Sequence, residues 1–114
     1  MTEALHKDEG KIGYHYILAM PGLFWVAAVG DYGAIKYRDQ FNYKKGMPWM
    51  KLIGSCSRHL IAFVRGEDND KESGLPHLAH LAYDALMLLD YKENHIDLDD
   101  RYKDIPKRSS DLLF

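Results

Sequence analysis

The side chains able to do chemistry are concentrated between residues 58 and 84. Arg58 and His59 precede the run GEDNDKESG at 66–74, with carboxylates Glu67, Asp68, Asp70 and Glu72, and His77, His80 and Asp84 follow. His77, His80 and Asp84 are three and four residues apart, the spacing that puts side chains on one stripe of a helix. Such a stripe suits a site in which His80 and Asp84 hold a divalent cation with loop carboxylates, while the Arg58 guanidinium faces an anionic substrate. The same residues suit a structural arrangement, an Arg58 to Asp84 ion pair with two hydrogen-bonded histidines at the surface of a hairpin. Residue types alone favour the structural arrangement, because this spacing lacks the specificity of a zinc signature.

The other candidates are weaker. His59 shares a helical face with Leu52, Cys56 and Phe63, so a hydrogen-bonded core histidine is expected there before a general base. Asp68 and Asp70 alternate as in a calcium loop, but the glycine and distal glutamate of that motif are misplaced. Trp25, Tyr32, Tyr37, Phe41, Tyr43 and Trp49 are aromatic groups that either stack a base or pack a core, and packing is the commoner use. Lys36, Lys44 and Lys45 read as solvated charges before phosphate ligands. No phosphate-cradling glycine loop, Ser-His-Asp order or Cys-His nucleophile is present.

The elements that must position these groups are helical. Pro21 opens an apolar helix expected to end near Gly30 or Gly33, and the segment 39–47, with Asn42 and Gly46, breaks the pattern. Pro48 opens a second helix running to about Arg65, with Leu52, Cys56 and Phe63 toward the core, and Gly66 stops it. Pro76 opens a third, carrying Leu78, Leu81, Ala82, Ala85, Leu88 and Leu89 and expected to end near Tyr91. A short connection makes the last two antiparallel neighbours. With Arg65 level with Pro76, Arg58 and His59 are predicted opposite Tyr83 and Asp84, and His80 beside Ile61 and Ala62. Residues 1–16 read as an arm pinned by Tyr14 and Tyr16, 17–92 as the helical domain, and 93–114 as a polar tail or short fourth helix ending in Leu112 to Phe114. The fold expected is all-α, a small bundle built on an antiparallel helix hairpin.

Composition limits how such a hairpin is used. At 114 residues, 46% hydrophobic and 28% charged, the chain suits one soluble domain. A net charge of -2 provides no basic field for duplex nucleic acid. The single cysteine, Cys56, cannot form an internal disulfide and is expected to be a small buried apolar residue in a reducing, cytoplasmic setting. The apolar run from Pro21 to Gly30 is about half the roughly 20 residues of a membrane-spanning helix, so no membrane partner is expected.

The order of motifs is more specific than any one of them. EGK at Glu9 to Lys11, GAIKY at Gly33 to Tyr37, FNYKKG at Phe41 to Gly46, RHLIAFVRGEDND at Arg58 to Asp70 and ESGLPHLAHLAYDALMLL at Glu72 to Leu89 occur in that order. Together, over Asp8 to Tyr91, they resemble the phage-type dATP/dGTP diphosphohydrolase N-terminal domain, a family associated with the helical MazG-like nucleoside triphosphate pyrophosphohydrolases. The resemblance implies hydrolysis of deoxynucleoside triphosphates to monophosphate and pyrophosphate, with magnesium or manganese held by carboxylates. It implies a site drawn from Arg58, His59, Glu67, Asp68, Asp70, Glu72, His77, His80 and Asp84, with Lys36 and Asn42 contacting phosphate or base. In that site Arg58, His59 and Asp84 are the catalytic candidates, Lys36, Asn42 and Arg58 the substrate contacts, and the metal ligands a subset of Glu67, Asp68, Asp70, Glu72, His77, His80 and Asp84. A homo-oligomer in the cytoplasm, the host's if the chain is phage-encoded, is also implied. The chain departs from the MazG pattern where Arg58 and His59 stand in place of a glutamate pair. The alternative is a phage protein that binds and sequesters a nucleotide, or a nucleotide-derived host defence signal, without cleaving it.

Overall fold

The computed structural model describes residues 2–7 and 9–101. Four α-helices follow in order: α1 (His15–Leu18), α2 (Gly22–Tyr37), α3 (Trp49–Val64) and α4 (His77–Asn94), with 3-10 turns at Asn42–Lys45 and Ile96–Leu98. No strand forms among the described residues, and Asn69 and Pro76 make an isolated antiparallel bridge. The domain is all-α, as expected. The proposed helix at Leu112 to Phe114 lies outside the described residues.

The two long helices start where proline dictates. Pro48 and Pro76 immediately precede α3 and α4, with φ near -52° and -57°, where a missing N–H costs no helical hydrogen bond. The end of α3 is a glycine-capped turn: Gly66 at φ 96° lets its own N–H bond Phe63 O at 3.0 Å and the Glu67 N–H bond Ala62 O at 3.0 Å. The connection is tightly bonded to itself and to the start of α4. The His77 N–H meets Asp68 O at 2.9 Å, and the Asp70 N–H meets Leu75 O at 2.8 Å.

These bonds set a hairpin register different from the one expected. Ser55 hydrogen-bonds Asp84, and Arg58 and His59 act on that carboxyl electrostatically, near it as level pairing of Arg65 with Pro76 placed them, but His80 stacks on His59 rather than lying beside Ile61 and Ala62. At His80 the difference is two to three residues, or about 3–5 Å along the helix axis. Its cause is the capped, folded-back connection, whose geometry a count of loop residues does not contain.

Three further expectations are corrected. First, α2 does not stop at Gly30 or Gly33 but runs to Tyr37, ending at Arg38 in the left-handed conformation, φ 53°. Gly30 instead admits the Tyr83 ring, which comes within 3.3 Å of the place a Cβ would occupy. Second, α4 continues past Tyr91 to Asn94, because Tyr91 is fully buried in the core rather than at its edge. Third, Phe63 does not share the core with Leu52, being exposed with Leu60, Ile61 and Val64 on the outer side of α3. Tyr14 and Tyr16 do not pin the arm: they are 72% and 69% exposed.

The core sits at the end of the hairpin away from the connection. Trp49, Leu52 and Tyr91 form it, with Tyr43, Met47, Ile53, Met87, Leu88 and Leu98 packed around them. Trp49 donates its indole N–H to His95 O at 3.0 Å, and the Tyr91 hydroxyl donates to Tyr43 O. Cys56 is half-buried and free, and burial raises its thiol pKa. No helix among the described residues is long and apolar enough to cross a membrane.

Candidate functional site

The polar side chains collect at the connection end. The 77–80–84 stripe of α4 turns toward α3 and brings His77 and His80 against His59. His59 and His80 are stacked, ring centroids 4.6 Å apart and planes 7° from parallel. His59 Nδ1 lies 2.8 Å from His77 Nδ1. Two nitrogens that close cannot both carry hydrogen, so one donates and the other presents a lone pair.

The connection supplies the carboxylate. Asp70 Oδ2 accepts the Ser73 N–H at 2.9 Å, and the Ser73 hydroxyl lies 2.7 Å from His80 Nε2. Ligand atoms of His59, Asp70 and His77 all fall within 4.8 Å of one another, a group able to hold a metal ion. The nearby Glu67 Oε2 is 3.7 Å from His77 Nε2, beyond hydrogen-bond length, and that nitrogen is buried without a hydrogen-bond partner among the described residues.

The electrostatics favour the metal-binding forms of His59 and Asp70. Burial lowers the pKa of His59, and burial followed by the neighbouring His59 lowers that of His80, so both imidazoles favour the neutral state. For Asp70, burial pushes upward, but hydrogen bonds from Ser73 and the nearby imidazoles outweigh it and hold the carboxyl below its usual value. Asp84 behaves oppositely. Burial raises its pKa against the pull of Ser55, His59 and Arg58, and its Oδ2 has no hydrogen-bond partner among the described residues.

A cavity of about 670 Å³ runs from the histidines along the hairpin, roofed by α2 and the 3-10 turn at Asn42–Lys45. Of the sequence candidates, Lys36, Asn42, Arg58, His59, Asp70, Glu72, His77, His80 and Asp84 lie on its wall, whereas Glu67 and Asp68 do not. Lys36 is paired with Glu72 at 2.8 Å, which raises the pKa of the amine and lowers that of the carboxyl. Tyr32 meets the His80 ring edge-on at 6.0 Å, and Tyr43 meets Tyr83 at 6.5 Å. Trp25 and Phe41 are exposed, and Trp49 is core.

Sequence reasoning missed a stripe on α3. Lys51, Ser55, Arg58 and Ala62 recur at intervals of four, three and four residues and all line the cavity. The signal was the helical spacing itself, hidden because Leu52, Cys56 and Phe63 were taken as the inward face. Tyr83 and Met87 on α4 were likewise missed as cavity residues.

No curated protein and no solved structure is significantly similar to the chain. A family model described as dATP/dGTP diphosphohydrolase, N-terminal, matches residues 1–101, through the arm, the cavity wall and both helices of the hairpin. By that match the chain belongs to the dATP/dGTP diphosphohydrolase N-terminal family.

Proposed function

We propose that the chain hydrolyses purine deoxynucleoside triphosphates to monophosphate and pyrophosphate in this cavity, with a divalent cation at its histidine end. The observation that carries the reading is the convergence of His59, Asp70 and His77 at one end of a cavity walled by Lys36, Lys51 and Arg58. The residues fit a cation: once the shared hydrogen moves to the far nitrogen of its ring, two imidazole lone pairs and a carboxylate held ionised are three donors within reach of one centre. Imidazole donors suit manganese or a similar transition ion better than magnesium, which prefers oxygen. Such a cation would neutralise phosphate charge and acidify a water.

The remaining steps belong to the chain. Arg58 faces the cavity from α3 and would bind phosphate oxygens and offset charge as the α-phosphorus is attacked. Lys36 would exchange its Glu72 partner for a phosphate. Water adds to the α-phosphorus, the bond to the bridging oxygen breaks, and pyrophosphate leaves. A neutral imidazole of the cluster, kept so by burial, can accept the proton of that water.

A homo-oligomer forms part of the proposal. Phe24, Trp25, Ile35, Val64, Leu86 and Leu89 are exposed, apolar groups that association with another copy would cover, which supports self-association. Light scattering with size exclusion should then give a multiple of 13.2 kDa, and a monomer mass would refute it. The setting proposed is the cytoplasm, the host's if the chain is phage-encoded, with nucleotide-pool control as the role.

One observation favours sequestration without cleavage: among the described residues Asp70 is the one carboxylate in the histidine group, where carboxylate sets are the usual magnesium carriers. One assay separates the two. Protein incubated with each triphosphate and manganese or magnesium should release monophosphate and pyrophosphate. Tight binding with intact triphosphate recovered after denaturation would establish sequestration instead.

A further inference from the structure

We infer that Asp84 reads the base-pairing edge of a guanine seated toward the core end of the cavity. The inference rests on the reading of that cavity as a nucleotide site. Asp84 is 8% exposed, and its Oδ2 faces no hydrogen-bond partner among the described residues. A buried carboxyl oxygen left unpaired is costly, so its retention points to a partner beyond the described residues, which a ligand seated in the cavity supplies.

Along α4 it lies beyond His77 of the cation group, while Ser55 hydrogen-bonds its carboxyl and His59 and Arg58 stay within electrostatic reach. Asp84 is seven residues beyond His77 on α4, about 10 Å along the axis, comparable to the reach from a nucleotide's phosphates to its base. Toward the core end the wall gains apolar groups between polar ones such as Asn42 and Lys51. Leu52, Met47 and Met87 are apolar, and the Tyr43 and Tyr83 rings, near perpendicular at 84°, offer aromatic surface to a flat ring. With phosphates at the histidine end beside Arg58 and Lys36, a base at the other end brings one edge to Asp84.

The donor pattern then selects the base. A carboxylate offers acceptors only, and guanine presents two adjacent donors, N1–H and the 2-amino group. Adenine presents an acceptor at N1 beside its 6-amino donor, which a carboxylate cannot satisfy as a pair. A side-chain amide carries one acceptor and one donor, the complement of adenine. Asp84→Asn therefore removes the match to guanine's paired N1–H and 2-amino donors, and gains one for adenine, without changing the size of the side chain.

The test measures affinities of the whole chain for non-hydrolysable analogues of dGTP, dITP and dATP with manganese present. The wild type should bind the dGTP analogue about tenfold or more tighter than the dITP analogue, which lacks the 2-amino donor, and than the dATP analogue. Asp84→Asn should remove the penalty on dITP and narrow the preference for the dGTP over the dATP analogue. An unchanged penalty on dITP in the variant, or equal wild-type affinities for dGTP and dITP, would overturn the inference while leaving the nucleotide site intact. Equal loss of all three analogues in a folded variant would overturn it in favour of a phosphate or cation role for Asp84. Failure of the wild type to bind any analogue would instead remove the nucleotide reading on which the inference depends. The wild-type comparison of dGTP with dITP needs no variant, so it decides even if Asp84→Asn does not fold.

Discussion

The two ends of the α3–α4 hairpin are built from the same helices and obey different rules. At the Trp49 and Tyr91 end, apolar rings are buried and their polar atoms are matched, the indole N–H to His95 O and the phenol to Tyr43 O. At the His59 and His77 end, two imidazoles share a proton and a buried nitrogen of His77 goes unpaired among the described residues. Folding alone explains the first arrangement, since burial there is compensated. It does not explain the second, where neutral and ionised groups are gathered with fewer partners than they can use.

Substitutions at the two ends should therefore have opposite profiles. Tyr91→Ala should cost about 3–5 kcal/mol of stability in a denaturant melt, because it empties a fully buried site. His77→Ala should cost roughly 1 kcal/mol or less, since it also removes an unpaired buried nitrogen, yet lower turnover by about 100-fold or more. A His77→Ala protein as unstable as Tyr91→Ala, with turnover retained, would erase the distinction.

Acid should act on the histidine end first. His59 and His80 have pKa values depressed by burial, so the unfolded chain takes up their protons more readily than the folded one. The stability they contribute is complete above the unfolded value near 6.5 and is lost as pH falls through the lower folded values. Melting temperatures between pH 7.5 and 5 (about the range of imidazole titration) should fall in the wild type and fall less in His80→Ala. Asp84 has the reverse sign: its raised pKa gives stability present below the unfolded carboxyl value and lost as pH rises through the folded one. Asp84→Asn should thus melt higher at neutral pH, and an unchanged or lower melting temperature would argue that the charge is better compensated than its burial suggests.

The smallest effect belongs to the cavity rim. Lys36 and Glu72 are partly exposed, and Lys36→Ala should change stability by less than about 1 kcal/mol. Its effect should appear as a higher KM for triphosphate, measured by initial rates.

Much of the scaffold was legible because prolines and glycines carry local instructions. Pro48, Pro76 and Gly66 mark the hairpin, and the structure begins and ends its helices beside them. Gly30 misled because a glycine that stops a helix and one that admits a tyrosine ring look alike until the partner helix is placed. The site candidates on α4 were legible from their spacing. Their partners were not, since the register depends on hydrogen bonds inside the connection, such as Asp68 O to the His77 N–H. For the same reason His59 was expected to sit in the core and instead joins the histidine group, while Lys51 and Ser55 went unnoticed on the wall.

The central claim is that the histidine end holds a cation which meets a triphosphate in the cavity. A crystal soaked with manganese and a non-hydrolysable dGTP analogue tests it most directly, through the anomalous signal of the metal. The account predicts one peak about 2.0–2.3 Å from His59, Asp70 and His77, with phosphate oxygens beside it and toward Arg58. A peak on Glu67, Asp68 or Glu72 instead, or nucleotide bound with the His59 to His77 contact unchanged and no metal there, would contradict it.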